Sequence, residues 1–358
     1  MRTVKKLLLI TVAFAVTIVF FGCKSVCFAQ SYGGEIVIEK STKRTLYDCN
    51  SRKKSPMAST TKILTAITVI ENADLNDVVV IDERMTNIEG SSVYLKCGEK
   101  YTVLDLLYGL MLRSGNDCAV ALALYVGKSL DGFCELMNCL ANKIGAKDSH
   151  FTNPHGLPDD NHYTTAYDLA LISAYAMENE IFSKIVASRS YKITEQTSKT
   201  EKNIVNKNKM LYLYDGANGI KTGFTKKAGR CLVSSARRNG MELICVVLNC
   251  GDMWERSEEL LNYGYDNYEM VKVFDSELII DAVKVEGTDK KCIIKCDKDV
   301  YLPLKTDEID KVDILYDYPE KLSLPINFGD IIGEIKFYIA NRLIFSQNIF
   351  TISNVNKS

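Results

Sequence analysis

Histidine is scarce in this chain: His150, His155 and His162 are the only three in 358 residues. No His-Glu-x-x-His pattern occurs, and a histidine-based zinc centre would need most of that small supply, so a metal enzyme is disfavoured. Charge of one sign is lacking too. The formal net charge is −1, and no stretch forms a dense basic cluster, which argues against nucleic acid as a partner. No Cys-x-x-Cys pair appears among the 12 cysteines, and their spacings outline no disulfide framework. Cys134 and Cys139 fall in a helical stretch, Cys245 follows a strand pattern, and Cys292 and Cys296 lie too far apart along one extended strand to bond. Small buried thiols are the reading that remains. Internal repeats and low-complexity segments are absent.

What is present is ordinary globular composition, 47% hydrophobic and 25% charged, with enough chain for two domains. Residues 1–29 read as an export signal: Arg2, Lys5 and Lys6, then the apolar run Leu7 to Phe21, then Cys27-Phe28-Ala29 as a small-residue cleavage site before Gln30. Removing its four basic residues takes the net charge from −1 to −5. Two anchored forms stand as alternatives. The apolar run is short for a full span but is an anchor if uncleaved, and Phe20-Phe21-Gly22-Cys23 loosely resembles a lipoprotein box acting through Cys23.

The remaining periodicity orders the chain. Glu35–Glu39 and Arg44–Tyr47 predict a hairpin, and Val78–Ile81 a short strand. Residues 103–126 predict two helices meeting at Ser114-Gly115-Asn116, with further helices near 132–144 and 165–177. Residues 151–160 form a loop, 194–209 a polar stretch. Cys231–Ala236 and Leu243–Leu248 predict strands joined at Asn239-Gly240, and a helix follows from Trp254 to Tyr263. This order predicts a mixed α/β (α+β) domain over residues 30–270, one antiparallel sheet built from both ends and carrying a helical cluster. Strand-like runs at 278–280, 291–294, 312–316 and 334–338 then predict a small all-β domain over 271–355, with a polar tail at 356–358.

The chemistry-bearing stretch is Ser59-Thr60-Thr61-Lys62, at the head of the apolar run Ile63–Ile70. In a helix Ser59 and Lys62 share a face one turn apart. A lysine that gives up its proton activates a serine that is otherwise a poor nucleophile. Alone the pattern is weak, because Ser51-Arg52-Lys53-Lys54 repeats its spacing. Ser114-Gly115-Asn116 alone is first a turn, repeated in spacing by Ser346-Gln347-Asn348. Lys221-Thr222-Gly223 alone is a strand end.

In this order the three motifs resemble the serine penicillin-recognising enzymes. Ala58–Lys62, Arg113–Asp117, Thr152–Leu157 and Gly219–Gly223 are similar to the signatures of the D-alanyl-D-alanine carboxypeptidases, the low-molecular-mass penicillin-binding proteins. The resemblance spans about residues 31–268, and the trailing β domain fits the family's layout. It implies a serine β-lactamase/transpeptidase-like fold and an acyl-enzyme on Ser59, formed from wall peptides ending in D-Ala-D-Ala. Lys62 would be the base, Ser114 would pass a proton to the leaving amine, and Asn116 would hold base and substrate amide. Lys221, Thr222 and Gly223 would receive the terminal carboxylate and the substrate backbone, and the N–H groups of Ser59 and Phe224 the oxyanion. β-Lactams would be covalent inhibitors, and no cofactor is implied. Alignment offers Arg256, and more weakly Lys207, as carboxylate contacts; Arg256 reads equally as a helix-face ion pair. His155 reads as a loop-packing residue.

Asn218 departs from the family, which usually has aspartate there, and a supporting charge near Lys221 is then missing. A class A β-lactamase would need a glutamate-bearing loop and usually Ser-Asp-Asn. A D,D-endopeptidase and a non-catalytic peptidoglycan or β-lactam binding protein stay open as alternatives. The family's C-terminal amphipathic helix has no counterpart in Ile349–Ser358, so attachment to a membrane is expected only through the N-terminus or a partner.

Overall fold

The computed structural model describes residues 33–355. The export signal, its cleavage site, Cys23 and the polar tail lie outside the described residues. In chain order the elements are β1 (Gly34–Glu39), β2 (Thr45–Cys49), a 3-10 turn at Ala58–Thr61, α1 (Lys62–Asn72), β3 (Val78–Val80), β4 (Lys100–Thr102) and α2 (Val103–Tyr108). A π-turn at Gly109–Arg113 leads to α3 (Asn116–Gly127), α4 (Leu130–Ile144), α5 (Ala166–Glu178), α6 (Glu180–Ala187), β5 (Ser190–Thr194) and β6 (Glu201–Val205). Then follow α7 (Met210–Leu213), β7 (Ala217–Thr225), β8 (Gly229–Arg238), β9 (Met241–Leu248) and α8 (Met253–Asn267).

The principal sheet has the order β2-β1-β9-β8-β7, antiparallel throughout, so strands from both ends of the domain meet at β1 and β9. Both strands are buried along their whole length, which suits the unbroken apolar runs Ile36–Ile38 and Leu243–Leu248: each is covered on both faces. α5 packs on one face with the helical cluster behind it, and α8 packs on the other. α1 runs through the cluster between α3, α4 and α5, with Lys62 to Val69 all buried. The β8–β9 turn has positive φ at Asn239 and Gly240, as the Asn-Gly pair predicts.

The second region is all β: β10 (Glu269–Phe274), β11 (Asp281–Val285), β12 (Lys291–Lys295), β13 (Val300–Leu304), β14 (Asp313–Asp317), β15 (Lys321–Leu322), β16 (Ile331–Ile339) and β17 (Arg342–Thr351). Six of these form a sheet in the order β14-β16-β17-β12-β11-β15, and β10 pairs with β13. Its core gathers Val283, Cys292, Ile294, Leu302, Ile335, Phe337 and Ile349.

Three local expectations need correction. Residues 278–280 are not a strand: Leu278 and Ile279 are exposed and the ladder starts at Asp281. The polar stretch 194–209 contains β6, which pairs with β5. Ser59 lies in a 3-10 turn, and the α-helix proper begins at Lys62. Among the described residues every cysteine is free, and no helix is long and apolar enough to cross a membrane.

Candidate active site

The turn before α1 is held in an unusual shape. Ala58 has φ +49°, a left-handed conformation that costs a non-glycine residue free energy and persists only when its surroundings fix it. Two glycines do so. A Cβ on Gly223 of β7 would lie 3.0 Å from both Met57 O and Ser59 N. A Cβ on Gly156, where φ is +89°, would lie 1.9 Å from Ala58 O. Strand and loop thus close on the turn from two directions, and only glycine permits the approach.

Lys62 is fully buried. Its Nζ donates to Ser59 Oγ at 3.0 Å, Asn116 Oδ1 at 2.7 Å and His155 O at 2.6 Å. Burial, and then the charge of nearby Lys221, holds its ammonium well below the usual lysine range. In the neutral amine the two carbonyl oxygens take the two N–H bonds, which leaves the lone pair for the hydroxyl of Ser59. Lys221 is buried as well, and burial together with Lys207 lowers it to about 7. Its Nζ donates to Thr222 O at 3.0 Å.

Ser114 sits at the end of the π-turn with φ +65°, 4% exposed, and faces the cleft. Asn116 spends both ends of its amide: Oδ1 accepts from Lys62 and Nδ2 donates to Glu89 O. Its neighbour Asp117 accepts from Ser92 Oγ and from the N–H groups of Val93 and Leu95. The two residues that follow Ser114-Gly115 thus clamp loop 89–95 over the cleft, a positioning role that motif spacing alone does not reveal.

The 151–165 loop contributes backbone. Asn153 Oδ1 accepts from the N–H groups of His155 and Gly156, and Pro154 O accepts from Thr65 Oγ1 at 2.7 Å. It is the carbonyl of His155 that meets Lys62; the imidazole, lowered to about 3 chiefly by burial, accepts from Leu157 N. His162 Nδ1 accepts from Thr152 N at 3.0 Å, so Nε2 carries the proton and donates to Thr61 Oγ1 at 2.8 Å.

The cleft above Ser59 has a volume of about 330 Å³. Ser59, Ser114, Thr222, Gly223 and Phe224 line it, joined by Ser91, Lys207, Met253 and Trp254. Ser91, Met253 and Trp254 were not among the expected residues, because they come from a loop and a helix start that carry no motif. Of the two readings given for Arg256, the ion pair is the one seen, and Arg256 is not among the residues that line the cleft. Its guanidinium is bound by Glu35 through Nε at 3.0 Å and Nη2 at 2.8 Å, and also meets Glu259 and the Tyr47 hydroxyl. Glu35 is fully buried on β1, so this cation neutralises a charge inside the fold, and it does not line the cleft. Asn218 is likewise bound elsewhere: Nδ2 donates to Glu242 Oε1 at 2.8 Å and Oδ1 accepts from Ser235.

Comparison with known proteins agrees with this geometry. Residues 28–251 match the D-alanyl-D-alanine carboxypeptidase family, and residues 268–357 match the C-terminal domain of penicillin-binding protein 5. The chain is 30% identical over 310 residues to D-alanyl-D-alanine carboxypeptidase DacF of Bacillus subtilis, covering 84% of this chain and 79% of that one. It is 34% identical over 238 residues to DacB2 of Mycobacterium tuberculosis, covering 64% and 81%. The crystal structure of penicillin-binding protein 5 from Haemophilus influenzae superposes with a TM-score of 0.77 at 27% identity, over 91% of this chain and 98% of that one. With these motifs, this cleft and this coverage, the chain belongs to the D-alanyl-D-alanine carboxypeptidase family of serine peptidases.

Proposed function

We propose that this enzyme removes the terminal D-alanine from peptidoglycan stem peptides ending in D-Ala-D-Ala, through an acyl-enzyme on Ser59. Neutral Lys62 takes the Oγ proton as Ser59 attacks the carbonyl between the two D-alanines. The oxyanion is held by the N–H groups of Ser59 and Phe224. Collapse breaks the C–N bond, Ser114 relays a proton to the departing amine, and D-alanine leaves. Water then attacks the ester with Lys62 again as base, which returns the proton to Ser59 and frees the shortened peptide. Lys221 and Thr222 receive the terminal carboxylate, and Gly223 lets β7 lie against the substrate backbone.

The observation that carries this reading is the buried Lys62 amine, 3.0 Å from Ser59 Oγ and fixed by two carbonyl oxygens. A β-lactam presents the same carbonyl and carboxylate and acylates Ser59. Substrate and N-terminal pattern together support a location outside the cytoplasmic membrane, released or tethered by the N-terminal segment.

The test is paired. Purified protein is expected to take a fluorescent penicillin covalently and to release D-alanine from a pentapeptide stem, and Ser59→Ala to abolish both. Labelling that survives Ser59→Ala overturns the nucleophile. Labelling without D-alanine release points to a binding protein, and release from cross-linked dimers in preference to pentapeptide points to an endopeptidase.

A further inference from the structure

An oxyanion formed at Ser59 needs backbone N–H groups already aimed at it, because a donor that must turn to meet the charge gives up much of its effect. Ser59 lines the cleft, and among the described residues its N–H has no acceptor, as is usual for the first N–H groups of a helix. Its direction is set by the peptide unit that joins it to Ala58. That unit is planar and trans, so the Ala58 carbonyl and the Ser59 N–H point in opposite senses. Whatever fixes the one aims the other.

The Ala58 carbonyl is fixed from the side away from the cleft. Thr61 Oγ1 donates to it at 2.9 Å, and Gly156 packs so closely that a Cβ there would lie 1.9 Å from the oxygen. Thr61 Oγ1 in turn accepts from His162 Nε2 at 2.8 Å, and His162 Nδ1 accepts from Thr152 N at 3.0 Å. With Nδ1 occupied by a donor, the neutral ring carries its proton on Nε2, and the Thr61 hydroxyl keeps its own hydrogen for Ala58 O. Ala58, Thr61 and His162 are all buried, so solvent does not readily make good a broken link. The left-handed φ of Ala58 is strain that turning this same peptide unit would relieve.

We propose that Thr61 and His162 are positioning residues for the oxyanion, holding the Ser59 N–H aimed into the cleft through the carbonyl of Ala58. Neither touches the reacting atoms. This rests on the carboxypeptidase reading and goes beyond it, by making the aim of one oxyanion donor depend on loop 151–165.

The experiment compares rates per intact site, the sites being counted by saturation with fluorescent penicillin. Thr61→Val keeps the shape of the side chain and removes the hydroxyl. Its kcat for D-alanine release should fall about tenfold with KM within about threefold, less than the roughly 100-fold or more that goes with a whole donor. Acylation by the penicillin should slow by a similar factor, since peptide and β-lactam pass through the same oxyanion. Thr61→Ser should restore both rates. His162→Leu should be slow as well, and His162→Gln should recover most of what it loses; this pair carries the test if Thr61→Val fails to fold. A merely structural role would lower the number of sites that take penicillin and the urea midpoint, and leave the rate per site alone. Rates per site within about twofold of the original in Thr61→Val and His162→Leu overturn the proposal, as does a Thr61→Ser no faster than Thr61→Val. Slower peptide turnover with penicillin acylation unchanged overturns it too, because the effect would then lie in peptide binding. Unaltered protein that takes no penicillin sinks the Ser59 reading itself, and the positioning role with it.

Discussion

Asn218 shows how one departure from a family pattern is explained by its neighbours. The sequence offers only a missing charge near Lys221. In the fold Asn218 lies between Ser235, which donates to its Oδ1, and Glu242, which accepts from its Nδ2 at 2.8 Å while pairing with Lys40 at 2.6 Å. A carboxylate is therefore already present, supplied across the sheet, and an amide is what can bond to it. Restoring aspartate with Asn218→Asp removes the donor and sets two carboxylates against each other. We expect a loss of about 1–2 kcal/mol in urea unfolding at pH 7. One carboxyl of the pair then titrates higher in the folded than in the unfolded state. The folded state binds the extra proton, so the penalty is present at neutral pH and shrinks as pH falls toward 4. Adding Glu242→Gln to that variant should recover at least half of the loss. A penalty that is flat with pH and indifferent to Glu242→Gln would show that the pair is not its cause.

At the scale of elements, one tie between loop 151–165 and the turn that presents Ser59 is a neutral histidine. His162 is 4% exposed and packs edge-on to Phe151, and burial lowers it to about 4. The unfolded chain takes up that proton near pH 6.5, so the contribution of His162 is full above that pH and declines as pH falls toward 4, by at most about 3 kcal/mol, while His155, which burial lowers to about 3, adds its own decline over the same window. His162→Gln offers an amide with a donor and an acceptor in similar places. It should leave urea stability at pH 7 within about 1 kcal/mol of the original and make the decline between pH 6.5 and 4.5 shallower, leaving the share that belongs to His155. An equal decline in both proteins would assign the effect to other groups.

Sequence patterning reads such elements unevenly. Strands β1, β2, β8 and β9 of the sheet and the helices α3, α4, α5 and α8 were legible, because burial on one or both faces imposes a strong pattern. β5 and β6 were not: each has a single fully buried side chain, Ile193 and Ile204, and the alternation drowns in exposed polar residues. Residues 278–280 misled in the opposite sense, an apolar run left in solvent. At the site, motifs led to the Ser59–Lys62–Asn116 contacts, whereas His155 contributes a carbonyl, which no side-chain signature encodes. Arg256 was a helix-face cation whose partner, Glu35, lies 221 positions away in sequence.

For the molecule as a whole, the principal sheet separates the cleft from the junction with the all-β region. Gly223 on β7, one edge, touches the Ser59 turn, while the turn between β1 and β2, toward the other edge, meets the all-β region. At about 4.8 Å per strand the two edges are roughly 19 Å apart. The junction centres on Arg44, which donates to Glu308 Oε1 at 2.7 Å and to Pro303 O, and lies over the Tyr268 ring at 5.4 Å. Lys305 approaches the same ring at 5.3 Å, and the Tyr268 hydroxyl donates to Leu46 O. A half-buried cation with a carboxylate, a carbonyl and a ring contributes about 1–3 kcal/mol to this junction, not to the cleft. In Arg44→Ala, amide hydrogen exchange should therefore rise about 10- to 100-fold in β13 and at residues 306–311, with β9 unchanged. Penicillin labelling of Ser59 should stay within about twofold, since the intervening strands are buried and fully paired on both sides and pass on little of a disturbance at β2. If labelling fell in step with the exchange, the sheet would be transmitting motion from the β region to the nucleophile, and the junction and the cleft would not be mechanically separate.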